Sequence, residues 1–166
     1  MGGRRLVVRI VGVVSTTHGF AYAVTEGPRH LVASGQRAAS PSLSDAVRRF
    51  GNVISKARPL FVAFDRDSGQ RKGRRGRQFV RAVSAVCEAH GVMLIAIGRT
   101  EIRRLSKQGR PSKWDIGDIV ATWFPEIASK LPPRRKPWES ENDRIGIFMA
   151  IAAAVAAWEG FRGPKT

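Results

Sequence analysis

The chain has 166 residues, enough for one domain with a real core and too few for two comfortable ones. Lys and Arg number 29 against 13 Asp and Glu, and the formal charge of +16 attracts polyanions, nucleic acid before an anionic membrane surface. A lone cysteine, Cys87, excludes an internal disulfide and a cysteine-built metal cluster, and no apolar run reaches the length that crosses a bilayer.

Leu6 to Val14 is an apolar run broken by Arg9 and Gly12, the pattern of a strand buried on both faces. The polar turn Ser15-Thr16-Thr17-His18-Gly19 leads to a second short strand, Phe20 to Thr25. Glu26-Gly27-Pro28 is turn chemistry, and His30 to Gly35 is a third strand. These three form an antiparallel meander. Ser42 and Asp45 stand at capping-box spacing ahead of Ala46, Val47, Phe50, Val53 and Ile54, which recur with helical period until Pro59. Leu60 to Phe64 is a fourth strand, and a basic, glycine-rich stretch runs from Arg66 to Gly76. Phe79, Val80, Val83, Val86 and Cys87 make a second amphipathic helix closed by Gly91, and Val92 to Ile97 is the fifth strand.

The rest reads as helical. Ile102 to Leu105 is short. Ser112 and Asp115 repeat the capping spacing and open a helix to about Trp123. Pro132-Pro133 marks a loop, and Ser140 with Asp143 caps a last helix through Trp158. That helix is apolar nearly all round, so it packs inside the molecule. Strands linked by helices pair in parallel, and the sheet is mixed and covered on both faces. The ends, 1–4 and 162–166, are expected to fray. The opening residues lack a basic, then apolar, then small-residue export pattern, and a cytoplasmic, nucleoid-associated setting is expected.

Two basic clusters are the strongest functional signal. The first is Arg66, Arg71, Lys72, Arg74, Arg75, Arg77 and Arg81, following a strand's carboxyl end, with Gly69, Gly73 and Gly76 to keep it adaptable. The second is Arg99, Arg103, Arg104, Lys107, Arg110 and Lys113, and Arg134-Arg135-Lys136 is a smaller third. A run of one sign is ordinarily a solvated face. Several with little acid between them point to phosphate contact, each phosphate adding nearly one unit to the salt slope of binding. Trp114, Trp123, Trp138 and Trp158 are read as packing anchors.

Three segments carry a family resemblance: the hairpin Arg9 to Val24, the strand Phe61-Val62-Ala63-Phe64-Asp65 with its basic sequel, and the stretch from Ile97-Gly98-Arg99-Thr100 through Gly109-Arg110-Pro111-Ser112-Lys113 to the helix Gly146 to Ala152. Their order and spacing resemble the RuvC-like Holliday junction resolvases of the RNase H-like superfamily. The resemblance implies an α/β fold, a mixed five-stranded sheet flanked by helices, in a single domain over 1–166 with a core of about 6–160. It also implies a homodimer, because a four-way junction has two-fold symmetry.

The family's chemistry is phosphodiester hydrolysis by two Mg²⁺ ions about 4 Å apart, held by hard carboxylate oxygens. The resemblance places the four acid slots at Val14, Asp65, Gly146 and Met149, so one keeps a carboxylate. A degenerate, pseudo-nuclease site follows, with no metal expected and Asp65 the ligand if there is one. Asp143, one turn before Gly146, is the candidate for a rebuilt site, with Asp67, Glu139 and Glu141 behind it. Against these readings, Asp143 sits at a helix-capping position, Asp65 can pair with Arg66, and Asp67 and His18 suit solvated turns.

The leading reading is binding of nucleic acid, branched or duplex DNA before RNA, by a protein that no longer cleaves. The alternatives are a Mg²⁺-dependent structure-selective endonuclease and a structural component of a ribonucleoprotein. No membrane partner is expected.

Overall fold

Side-chain alternation organises the first hairpin. In β1 (Ile10–Ser15) and β2 (Gly19–Thr25), residues of opposite parity face opposite layers, and nearly all are buried. The computed structural model describes residues 7–38, 42–67, 73–134 and 144–161, without the side chains of Ala38 and Arg75. After β3 (Leu31–Ala38) come α1 (Leu43–Ala57), β4 (Phe61–Asp65), α2 (Gly73–His90) and β5 (Met93–Ile97). Then follow α3 (Arg99–Arg103), α4 (Lys113–Trp123), a 3₁₀ segment at Pro125–Lys130 and α5 (Ile145–Phe161).

The sheet runs in the order β3-β2-β1-β4-β5. β1–β2 and β2–β3 are antiparallel, and β1–β4 and β4–β5 are parallel. This is the meander and mixed sheet that the pattern predicts. The bounds shift by a few residues: the third strand continues to Ala38, and the short helix begins at Arg99 instead of Ile102. The 3₁₀ turn at Pro125–Lys130 has no periodic signal and is absent from the sequence reading.

Two cores flank the sheet. α1 and α2 cover one face with Phe50, Ile54, Phe79 and Val83 against Val11, Val13, Phe20, Val62 and Phe64. Phe20 and Phe79 stack at 5.2 Å between ring centroids, and Phe50 meets Phe20 edge-on at 5.8 Å. α5 covers the other face, with α4 packed beside it. α5 has no polar side, and thirteen consecutive residues from Ile145 to Ala157 are buried.

Small residues bring α5 unusually close to β1. A Cβ at Gly12 would stand 1.9 Å from the Ala150 carbonyl oxygen and 3.1 Å from Ala154 Cβ. At its far end α5 is pinned by Trp158, whose Nε1 donates to Thr25 Oγ1 at 2.9 Å. The Thr25 hydroxyl donates in turn to the Ile10 carbonyl at 2.9 Å.

Two caps follow the sequence. Ser42 Oγ accepts from Asp45 N at 3.1 Å, and Asp45 pairs with Arg48 and Arg49. Ser112 and Asp115 form a full reciprocal box at the head of α4. The proposed cap at Ser140 and Asp143 lies outside the described residues.

Candidate functional site

The parallel strands β1, β4 and β5 end at the same edge of the sheet, where open α/β sheets build their sites. Registers fix who meets whom there. Val14 pairs with Ala21, Val13 with Phe64 and Asp65 with Ile97. Asp65 therefore lies one rung past Phe64, beside Val14, and strand parity turns both toward α5. Gly146, in the first turn of α5, sits over this row: a Cβ there would meet Thr16 Cγ2 at 2.9 Å, Ala21 Cβ at 3.1 Å and Val14 Cγ2 at 3.6 Å.

Three of the four slot positions are thus brought together, and Met149 follows one helical turn on, 9% exposed. Val14 is 2% exposed, with its Cγ2 3.6 Å from where a Gly146 Cβ would stand. Asp65 is the exception, a carboxylate at 7% exposure. Its Oδ1 accepts the Asp67 backbone N–H at 3.1 Å.

Asp67 differs from the solvated turn residue expected of it. Half-buried, its Oδ2 accepts the Arg99 backbone N–H at 2.8 Å. It serves the opening of α3, whose N-cap Gly98 offers no side-chain acceptor. The partner is 32 residues away, so no local spacing announces it. Asp143, Glu139 and Glu141 lie outside the described residues, as do Arg71 and Lys72. Among the described residues no three His, Cys, Asp or Glu side chains gather as a metal set would require. Among the described residues, Val14, Gly146 and Met149 supply no oxygen ligand beside Asp65, whereas a magnesium pair needs carboxylate charge and oxygen ligands.

The cations are placed differently. α2 begins at Gly73, six residues earlier than Phe79, so the basic stretch is partly helical instead of a flexible loop. Gly76 is buried in that helix. Arg74, Arg77 and Arg81 recur at helical spacing on the exposed face of α2. Arg66, exposed, continues directly from β4. Its guanidinium lies over Gly98: a Cβ there would stand 2.6 Å from Arg66 Nη2 and 2.7 Å from Glu101 Oε2.

Arg103, Arg104, Lys107 and Arg110 are exposed along α3 and the following loop, and Lys113 is half-buried at the head of α4. His18 is exposed in the β1–β2 turn, where Thr16 N donates to Gly19 O at 2.9 Å. Arg66 directly follows β4, and Arg99 and Arg103 lie in the helix that follows β5, so all three come from segments leaving the strand ends at the Asp65 edge.

The third cluster is partly neutralised. Arg134 binds Asp115 at 2.6 Å and Asp118 at 3.5 Å. The Ser112 backbone N–H and then the Arg134 guanidinium hold the Asp115 carboxyl down to about 2. Two tryptophans show their work: Trp158 anchors α5, and Trp123 lies under Arg29 at 3.9 Å from its ring centroid. Trp138 lies outside the described residues.

No protein-family profile matches the sequence. No curated protein matches it either. Solved structures do. Thermus thermophilus RuvC superposes with a TM-score of 0.68 at 18% identity, over 94% of this chain and 97% of that one. T. thermophilus RuvC in complex with a Holliday junction substrate gives 0.66 at 16% identity, over 94% and 96%. The fowlpox virus resolvase in complex with its substrate Holliday junction DNA gives 0.59 at 12%, over 91% and 99%. At these identities the likeness is one of architecture: the chain has the RNase H-like fold of RuvC, a mixed five-stranded sheet flanked by helices.

Proposed function

We propose that the chain binds nucleic acid, branched or duplex DNA before RNA, on the cationic edge around Asp65, and that it does so without cutting. The observation that carries this reading is one edge with two characters. Exposed Arg66 and Arg103 stand on the segments leaving the strand ends, while the positions that the resemblance assigns to acids beside Asp65 are Val14, Gly146 and Met149. Phosphate contacts of this kind position a duplex without reading its bases. Two of the similar structures hold Holliday junction DNA, which supports a junction as the preferred shape. A homodimer would match the two-fold symmetry of such a junction.

The test is competition binding at physiological salt with a chelator present. A four-way DNA junction should be held more tightly than a linear duplex of the same composition, and both more tightly than double-stranded RNA. Sedimentation should find two protein copies per junction. Preference for RNA would favour the ribonucleoprotein reading. Binding that appears only with Mg²⁺ would favour the endonuclease reading, with Asp65 as ligand and Asp143 as its helper.

A further inference from the structure

On the opposite face of the sheet from the acid slots lies a cavity of about 440 Å³ between α1 and the strands β2 and β3. It lies where β3 presents small residues beside α1. The residues opposite Tyr22 and Val24 are Gly35 and Ala33, and a Cβ on Gly35 would already press on the Tyr22 hydroxyl at 3.1 Å. The floor is Tyr22 and Val24, and Val53 and Ala57 of α1 form one wall. Cations sit at both ends. Arg37 and Arg48 lie toward the start of α1, and Lys56 and Arg9 toward its end. Among the described residues no carboxylate lines the cavity.

These cations are not equally engaged. Arg48 and Arg49 share Asp45, and Arg9 binds Glu26 at 2.7 Å and the Ala57 carbonyl at 3.1 Å. Arg37 donates only to neutral oxygens, the Tyr22 hydroxyl at 3.1 Å and the Gln36 carbonyl at 2.9 Å. Lys56 makes no ion pair with any described residue. The volume falls within the range of small-molecule sites, and an apolar floor with a few charged groups is how such sites select.

We propose that this cavity binds a small organic anion, an apolar body carrying a carboxylate or a phosphate ester, with Arg37 or Lys56 taking the acidic group. The charged head meets a guanidinium or ammonium that has no carboxylate partner, and the body covers Tyr22, Val24 and Val53. The site is separate from the cationic edge around Asp65, and its occupancy does not depend on the proposed nucleic-acid role.

The test uses 8-anilinonaphthalene-1-sulfonate as the probe, followed by fluorescence on the whole chain at physiological salt. One dye per chain should bind. Decanoate or thymidine monophosphate should displace it, and which of the two does so identifies a carboxylate or a phosphate as the head group. Ala33→Trp and Asn52→Trp, each filling the groove from one side at an exposed position, should remove the signal. The pair Arg37→Glu with Lys56→Glu should weaken the dye about tenfold, while junction affinity falls no further than in a control with the same change of net charge, Arg29→Glu with Lys130→Glu. A dye signal unchanged in both tryptophan variants would overturn the proposal. So would displacement by a short single-stranded oligonucleotide together with lost junction binding in the double glutamate variant, which would make the groove a nucleic-acid contact.

Discussion

Placing a carboxylate at Val14, by Val14→Asp, tests whether that position is closed by packing. Val14 is 2% exposed, with Ala21 beside it and Gly146 above it. The side chain beside it on β2 is a methyl, and Asp65 is the adjacent acid on β4. The aspartate should take up a proton instead of ionising. Keeping it neutral costs about 1.4 kcal/mol for each pH unit above its unfolded value near 4, or about 4 kcal/mol at neutrality. Burying the neutral carboxyl and losing the valine methyls adds roughly 2 kcal/mol. The total rivals the whole stability of an ordinary domain.

The sign follows from a folded value raised above the unfolded one. The penalty is small below about pH 4, grows as pH rises, and levels off only past the folded value. Urea unfolding followed by tryptophan fluorescence, from about pH 4 to about pH 8, should therefore separate Val14→Asp from Val14→Asn, which lacks the slope. Equal stability of the two variants at neutral pH would refute the reasoning. So would stabilisation of Val14→Asp by more than about 1 kcal/mol in millimolar Mg²⁺, because a closed slot has no room for the ion.

Other expectations follow from single contacts. Gly12→Ala puts a methyl 1.9 Å from the Ala150 carbonyl, and moving the α5 backbone away should cost about 3 kcal/mol or prevent folding, read as a lowered urea midpoint. Arg74→Ala, Arg77→Ala and Arg81→Ala together should lower the slope of log affinity against log salt by up to about 2.7 units if each meets a phosphate, measured on a four-way junction. Asp115, held down to about 2, contributes stability that is present above its unfolded value near 3.8 and lost as pH falls toward 2. Asp115→Asn should flatten that acid limb in a melting-temperature series. Cys87, 2% exposed and pushed up to about 11 by burial, should resist thiol reagents in mildly alkaline solution until the chain unfolds.

What the sequence disclosed, it disclosed through periodicity. The all-apolar run from Ile145 could only be an internal helix, and Ser112 with Asp115 could be read as a cap because both partners lie within one turn. The same logic misled at the glycines. Gly73 and Gly76 looked like loop residues among arginines, yet Gly73 opens α2 with φ 62° and Gly76 lies in its buried face. Long-range partners left no trace at all. Asp67 finds the head of α3, Arg134 finds Asp115, and the cavity beside β3 needs residues from four segments. For the acid slots, the resemblance supplied the positions. What no spacing could supply was the close approach of α5, which sets Gly146 against Val14 and Thr16.

The most direct measurement is single-turnover incubation of a labelled four-way junction with excess protein, in Mg²⁺ and again in Mn²⁺, resolved on a denaturing gel. The account predicts a saturated complex and intact strands in both metals, with Asp65→Asn indistinguishable from the parent chain. Paired nicks near the crossover that require the metal and vanish in Asp65→Asn would contradict it.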